Sequence, residues 1–250
     1  MKILDRSAGI IMIIALCLVS VPLSYAGWGD FLKDFQKTLG KSTKSGALSQ
    51  DKIGNGLKEA LRIGAENAVK KVSIPDGYYD NPEIRISLPD SILKVEKVIR
   101  IFGYGSQLDA FTESMNRAAE KAAPAARDLF WGTVKGMTFE DAIKIFKGRD
   151  NEATLYLKDK TWDKLLKTFK PIVNQAMSSV GVTKQYRDLE NRVRNIPVIG
   201  QSLGVDIDNY DSEKALNGLF LMLEKEEQKI REDPAARVTD LLKEVFGGVK

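Results

Sequence analysis

Three glutamates stand within four positions, Glu224, Glu226 and Glu227, in the otherwise apolar run "KALNGLFLMLEKEEQKIRE" at 214–232. Carboxylates this close could share a proton or hold a hard cation through oxygen ligands. Which of these is open to them depends on the face each one occupies. A helical wheel at about 100° per residue places Leu216, Leu219, Phe220, Leu223 and Ile230 on one apolar stripe. Glu227 falls inside that stripe, Glu224 and Arg231 lie just past one edge, and Glu226 lies past the other. An ionised acid is too costly to bury by itself. Glu224 and Glu226 are therefore expected in solvent, and Glu227 either at the rim beside a basic residue or, in the sharper alternative, in a buried polar site.

A second run, "QLDAFTESMNRAAEKAAP" at 107–124, offers partners. Leu108, Phe111, Met115, Ala118 and Ala122 form its apolar face, Asn116 flanks that face, and Arg117 and Glu120 are expected to point away from it. The alanines at 118, 119, 122 and 123 allow a second helix to approach closely. Asn116 and Arg117 could then meet acids on that helix, Glu227 among them. The plainer alternative is a surface pair between Glu113 and Arg117, four residues apart. Asn116, Arg117, Glu120, Glu227 and Arg231 are the candidate ligand- or partner-binding residues.

What is missing narrows the chemistry further. The chain has no histidine, which removes imidazole bases, His-ligated zinc and Glu-x-x-His di-iron sites. Its single cysteine, Cys17, lies in an N-terminal apolar stretch, so the rest of the chain has neither a disulfide nor a thiolate. "DIDNYDSE" at 206–213 resembles a calcium loop but has Tyr210 at the third ligand position and no glycine at the turn; it is expected to be a loop with Asp211 as a helix cap. "GYGSQ" at 103–107 lacks the lysine and preceding strand of a phosphate cradle, and Lys184 is not at Ser-x-x-Lys spacing from Ser178 or Ser179. No catalytic residue, metal set or cofactor motif is assigned. A formal net charge of +4 spread over 250 residues gives no electrostatic footprint for nucleic acid.

The elements that must position these residues begin after a targeting segment. Lys2 and Arg6, an apolar stretch at 8–23 and "SYA" at 24–26 predict an exported chain cleaved after Ala26, with an uncleaved membrane anchor through 10–23 as the alternative. In the new N-terminus, Trp28, Phe31, Leu32 and Phe35 would share one helical face, and "GKSTKSG" at 40–46 reads as a flexible basic linker. Residues 27–45 are expected either to fold back onto their own domain or, in the sharper alternative, to contact a membrane surface or a partner through that face and Lys33, Lys37, Lys41 and Lys44. A helical domain should occupy 47–250. Helices are predicted from a Ser49 cap through 56–72, then at 92–102, 107–122 and 125–135, and after a capping box of Thr138 and Asp141. Asp150 and Thr161 would cap two more, 184–194 continues the series, and Asp211 and Asp233 would open the last two. Three prolines break the region 73–91, where Ile84, Ile86 and Leu88 alternate as in a strand or extended piece. The fold class is all-α, an irregular multi-helix bundle with one short extended segment near 84–88.

Five ordered blocks carry a resemblance over nearly the whole of this region. "GLKEAL" (56–61), "DGYYDNPEIRISLP" (76–89), "MNRAAEKAAP" (115–124), "MTFEDAIKIFKG" (137–148) and the pair "KALNGLF" and "EEQKIREDPAAR" (214–237) resemble the exported bacterial family catalogued as domain of unknown function 4197. Glu152 in "DNEATLYL" departs from it, since relatives tend to read Ala-Ala-Thr there. The resemblance implies a helical protein exported by a Gram-negative bacterium, hence a periplasmic address, and carries no reaction, ligand or catalytic residue with it. Two classes of function follow. One is a non-catalytic periplasmic binding or envelope-interaction module for a lipid, peptide or envelope protein. The other is an enzyme using carboxylates such as Glu120 and Glu227, with or without an oxygen-ligated metal.

Overall fold

The computed structural model describes residues 50–179 and 205–246, together with Tyr186 and Asn191. The expected signal at 1–26, the face with Trp28, Phe31, Leu32 and Phe35, the linker at 40–46, the Ser49 cap and most of the helix at 184–194 lie outside the described residues. The described chain is all-α: α1 Gln50–Val72, α2 Asp90–Leu93, α3 Glu96–Ile101, α4 Gly105–Ala122, α5 Ala126–Lys135, α6 Phe139–Lys147, α7 Glu152–Ser179, α8 Ile207–Glu232 and α9 Asp240–Phe246. Short 3-10 turns stand at Ala123–Ala125 and Pro234–Ala236.

Apolar periodicity dictates how these helices stack. α8 lies between α1 and α7, α4 packs on α7 and also touches α8, α5 bridges α1 and α7, and α6 and α9 close over α1. The stripes read from the sequence are the buried ones: Leu57, Leu61 and Ala68 on α1, Leu108, Met115 and Ala118 on α4, and Leu216, Leu219, Leu223 and Ile230 on α8. They join one continuous core from Leu57 to Phe246. Fully burying a large aliphatic or aromatic side chain stabilises by about 1.5–3 kcal/mol, so these stripes decide the arrangement.

Local signals fare unevenly. Thr138 and Asp141 form the capping box, with Asp141 N–H donating to Thr138 Oγ1 at 3.1 Å and Thr138 N–H donating back to the Asp141 carboxylate at 3.0 Å. Residues 85–89 have no regular secondary structure, and Ile84, Ile86 and Leu88 are buried while Arg85 and Ser87 face solvent. Four expectations fail. Thr161 starts no helix: it lies inside α7, buried, with its hydroxyl donating to the Leu157 carbonyl at 2.6 Å. The expected helix at 92–102 is two short ones, interrupted where Val95 takes φ −111° and ψ 1°. Asp211 does not cap α8, because the helix begins one turn earlier at Asp206, whose carboxylate accepts from Asn209 N–H at 3.0 Å. Asp233 does not open the last helix: it caps only the Pro234–Ala236 turn, with Pro234 at its first position, and the last described helix starts at Asp240.

Candidate functional site

Glu227 is buried as the wheel requires, but its partners come from another pair of helices. One carboxylate oxygen accepts from Ala153 N–H at 3.0 Å, and the other accepts from Thr154 N–H and the Thr154 hydroxyl, both at 2.8 Å. These are the second and third amides of α7, which have no partner within their own helix. A cap of this kind normally comes from the residue just before the helix. Here Asp150 does not supply it, and α8 does so from across the core. Arg231, one turn along α8, donates two hydrogen bonds to Glu227, at 3.0 and 2.8 Å, and another to the Ile145 carbonyl near the end of α6 at 3.2 Å. The pair thus sets a negative charge at the start of α7 and a positive one at the end of α6, the signs each helix dipole favours. Glu152, the family departure, plays no part in this contact; its carboxylate meets Arg149 at 3.2 Å.

Asn116, Arg117 and Glu120 are brought together on α4, but not with Glu227. Glu120 is buried, contrary to the wheel, because the segment after α1 covers that flank: its carboxylate accepts from Tyr78 N–H at 3.1 Å and from Arg117 at 3.0 Å. Arg117 also reaches Asp76 at 2.7 Å and the expected surface partner Glu113 at 3.4 Å. Asn116 acts as a one-residue strand partner: its side chain accepts from Ile86 N–H and donates to the Ile86 carbonyl, both at 2.8 Å. The expectation that Arg117 or Asn116 would pair with Glu227 is therefore overturned. Each cluster is filled by backbone groups that the fold would otherwise leave unsatisfied.

Glu226 is not in solvent either. Its side chain is 6% exposed and bridges to Lys71 and Asn67 of α1, and its carboxylate holds the Lys71 ammonium above its ordinary pKa through a hydrogen bond and its charge. Glu224 is half-buried and accepts from Asn151 at 3.2 Å. The three glutamates are thus not a shared site. Around Glu227 and Arg231 there remains a cavity of about 20 Å³, walled by Leu57, Leu61, Leu223 and Phe246, with room for roughly one water molecule.

Space for a ligand lies elsewhere, on both flanks of α5. A cleft of about 280 Å³ separates Arg62 and Glu66 of α1 from Arg127, Phe130 and Trp131. A wider one of about 480 Å³ opens toward α7, floored by Gly132, Thr133 and Gly136 and walled by Asp128, Tyr156, Lys160 and Lys164. Asp141 closes one end; its carboxylate sits below its ordinary pKa because the Thr138 backbone amide and hydroxyl donate to it, with Tyr156 O–H also donating at 3.4 Å. Among the described residues Arg127, Asp128 and Lys164 form no ion pair. Trp131 remains 38% exposed with Lys135 over its ring. Neither cleft was read from the sequence. Its signal was Trp131 followed by Gly132-x-x-x-Gly136: glycine inside or at the end of a helix costs about 1 kcal/mol against alanine, and nothing lies within 4 Å of where a Gly132 side chain would start.

No group of three or more His, Cys, Asp or Glu side chains among the described residues is placed to hold a metal ion. No helix among them is long and apolar enough to cross a membrane. The model of the family described as "Protein of unknown function (DUF4197)" matches residues 47–247. No curated protein and no solved structure matches the chain. The chain belongs to the DUF4197 family.

Proposed function

With the family as premise, we propose that this chain is a non-catalytic binding module of the periplasm, exported and cleaved after Ala26, that holds a polar ligand against α5. The observation that carries this is the division of labour between two kinds of charged side chain. Glu120, Glu226 and Glu227 are bound to backbone amides or cations of the scaffold, while Arg127, Asp128 and Lys164 line open clefts without ion-pair partners. The carboxylate-enzyme alternative loses its support because Glu120 and Glu227 share no partner among the described residues. Lys160 and Lys164, one turn apart on α7, suit an anionic group; Asp128 and Thr133 opposite them suit donors on the same molecule. A peptide end or a lipid head group has that chemistry, and the stretch 27–45 belongs to the same proposal as a further membrane or partner contact.

The test is mass spectrometry of material copurifying with periplasmic protein, from the natural chain and from a Lys160→Glu/Lys164→Glu variant. Both residues are exposed, so the variant should keep its helical content and melting temperature while losing the bound species. Intact mass of the same preparation should correspond to a chain starting at Gly27. A ligand retained equally by both proteins would remove the α5–α7 cleft as its site, and a mass that includes residues 1–26 would remove the cleavage.

A further inference from the structure

Consecutive residues on a helix point about 100° apart and do not face each other. Arg127 and Asp128 of α5 are such a pair. Both are exposed, and neither side chain makes a hydrogen bond or an ion pair among the described residues, so opposite charges stand side by side uncancelled. Both border the cleft of about 280 Å³ between α1 and α5, Asp128 from the crest that this cleft shares with the one toward α7. Across the narrower cleft Arg62 is already committed, to Glu59 at 2.8 Å and to Glu66 at 2.7 Å. The free charges of this cleft therefore belong to Arg127 and Asp128.

The rest of the cleft is apolar. Ala65, Phe130 and Val134 close its floor and are each at most 5% exposed, so the floor is part of the core and needs no rearrangement to receive a ligand. Trp131, one turn beyond Arg127, forms a side wall and is 38% exposed. Lys135, 4.8 Å from the indole centroid, steadies the ring without being a wall of the cleft. The space falls just below the about 300–1,000 Å³ usual for drug-sized ligands, which suits something the size of one amino acid.

These features decide between ligand charges. An anion held by Arg127 would lie beside the Asp128 carboxylate, and a cation held by Asp128 would lie beside the Arg127 guanidinium, so each gains one attraction and meets one repulsion. A molecule with both charges on one carbon meets no such penalty. We infer that the α1–α5 cleft binds a free α-amino acid with an apolar side chain: its carboxylate on the Arg127 guanidinium, its ammonium on the Asp128 carboxylate, and its side chain against Trp131 over the Phe130 and Val134 floor. A peptide end offers only one of the two charges. The inference rests on the reading of this chain as a binding module, but it concerns the flank of α5 opposite Lys160 and Lys164.

Protein made with 5-fluorotryptophan carries the label at positions 28, 131 and 162, and a Trp131→Phe sample identifies the reporting resonance. L-leucine and L-phenylalanine should shift the Trp131 resonance saturably and leave that of Trp162, stacked on Phe220, in place. By calorimetry, N-acetyl-L-leucine and L-leucinamide, each lacking one charge, should bind at least about tenfold more weakly than leucine, and Arg127→Gln should weaken leucine by a similar factor while the free variant melts as the natural protein does. Lys160→Glu/Lys164→Glu should bind leucine unchanged. Failure of both amino acids to bind at millimolar concentration would overturn the inference. So would N-acetyl-L-leucine binding as tightly as leucine, which would make this a site for carboxylates or peptide ends. Leucine binding that survives Arg127→Gln and is lost in Lys160→Glu/Lys164→Glu would put the amino acid in the α5–α7 cleft, overturning this inference and leaving the proposed function standing.

Discussion

A carboxylate inside a helical core can be a reactive group or a terminator of someone else's hydrogen bonds, and Glu227 is the second. Gln at this position keeps the shape but removes the charge and turns an amide toward the α7 N–H groups. Glu227→Gln should therefore cost about 1–3 kcal/mol in a urea titration, while Glu224→Gln, half-buried with one amide partner, should stay within about 0.5 kcal/mol. Equal small losses would show that the α7 amides find other acceptors. Asp211 is the opposite case: fully buried, with neither carboxylate oxygen hydrogen-bonded. Burial raises its pKa well above the ordinary value, with Asp208 adding to the effect. The sign follows directly. Below pH about 4 the folded and unfolded chains both hold this proton, so the group contributes nothing. As pH rises the unfolded chain releases it first, and stability falls until the folded pKa is passed. Asp211→Asn should accordingly become progressively more stable relative to the natural chain between pH 4 and pH 7, read as the difference between paired denaturant titrations. A difference independent of pH would mean that Asp211 is ionised in the fold.

At the scale of elements, close approach is controlled by small residues whose effects differ in sign. A methyl at Gly218 on α8 would lie 2.8 Å from the Tyr78 ring and 3.1 Å from Ile84, side chains locked by the Tyr78 hydroxyl donating to the Ala215 carbonyl at 2.7 Å. Gly218→Ala should destabilise by about 1–3 kcal/mol despite the better helix propensity of alanine. Gly132→Ala, where the space is open, should stabilise by about 0.5–1 kcal/mol. Thermal melts of the two variants decide this, and a shift in the same direction for both would refute the packing argument. Asn116 belongs to this scale too. Holding both polar groups of Ile86, it takes the place of the neighbouring strand that the alternation of Ile84, Ile86 and Leu88 anticipates, so a buried non-helical segment keeps its backbone satisfied among helices.

For the whole molecule, the continuity of the core from α1 to α9 matters most. Gly56 of α1 lies under Val245 of α9, and Phe146 of α6 stands 6.0 Å from Phe246, so the last described helix is packed against the first. Unfolding should be one cooperative transition, with far-ultraviolet circular dichroism and tryptophan fluorescence giving the same midpoint in urea. Two separated midpoints would divide the helical region into independently stable parts.

Helix periodicity, the Thr138–Asp141 box, the broken region after α1 and the absence of histidine were all legible in the sequence, because each depends on residues within a few positions or on composition. Apolar stripes also named the buried faces of α1, α4 and α8 correctly. The wheel failed at Glu120 and Glu226, since it describes one helix in isolation, and those flanks are covered by the 76–88 segment and by α1. The cap of α7 was illegible for the same reason: its acceptor lies 73 and 74 residues away on a helix that meets it side-on. Sequence determined most of the helices and the apolar stripes they bury, through local sterics and hydrophobic burial. Tertiary structure alone decided which polar groups those faces meet. Buried helix ends must find partners wherever the packing puts them, and that requirement, not chemistry, claims the glutamates and leaves the open charges beside α5.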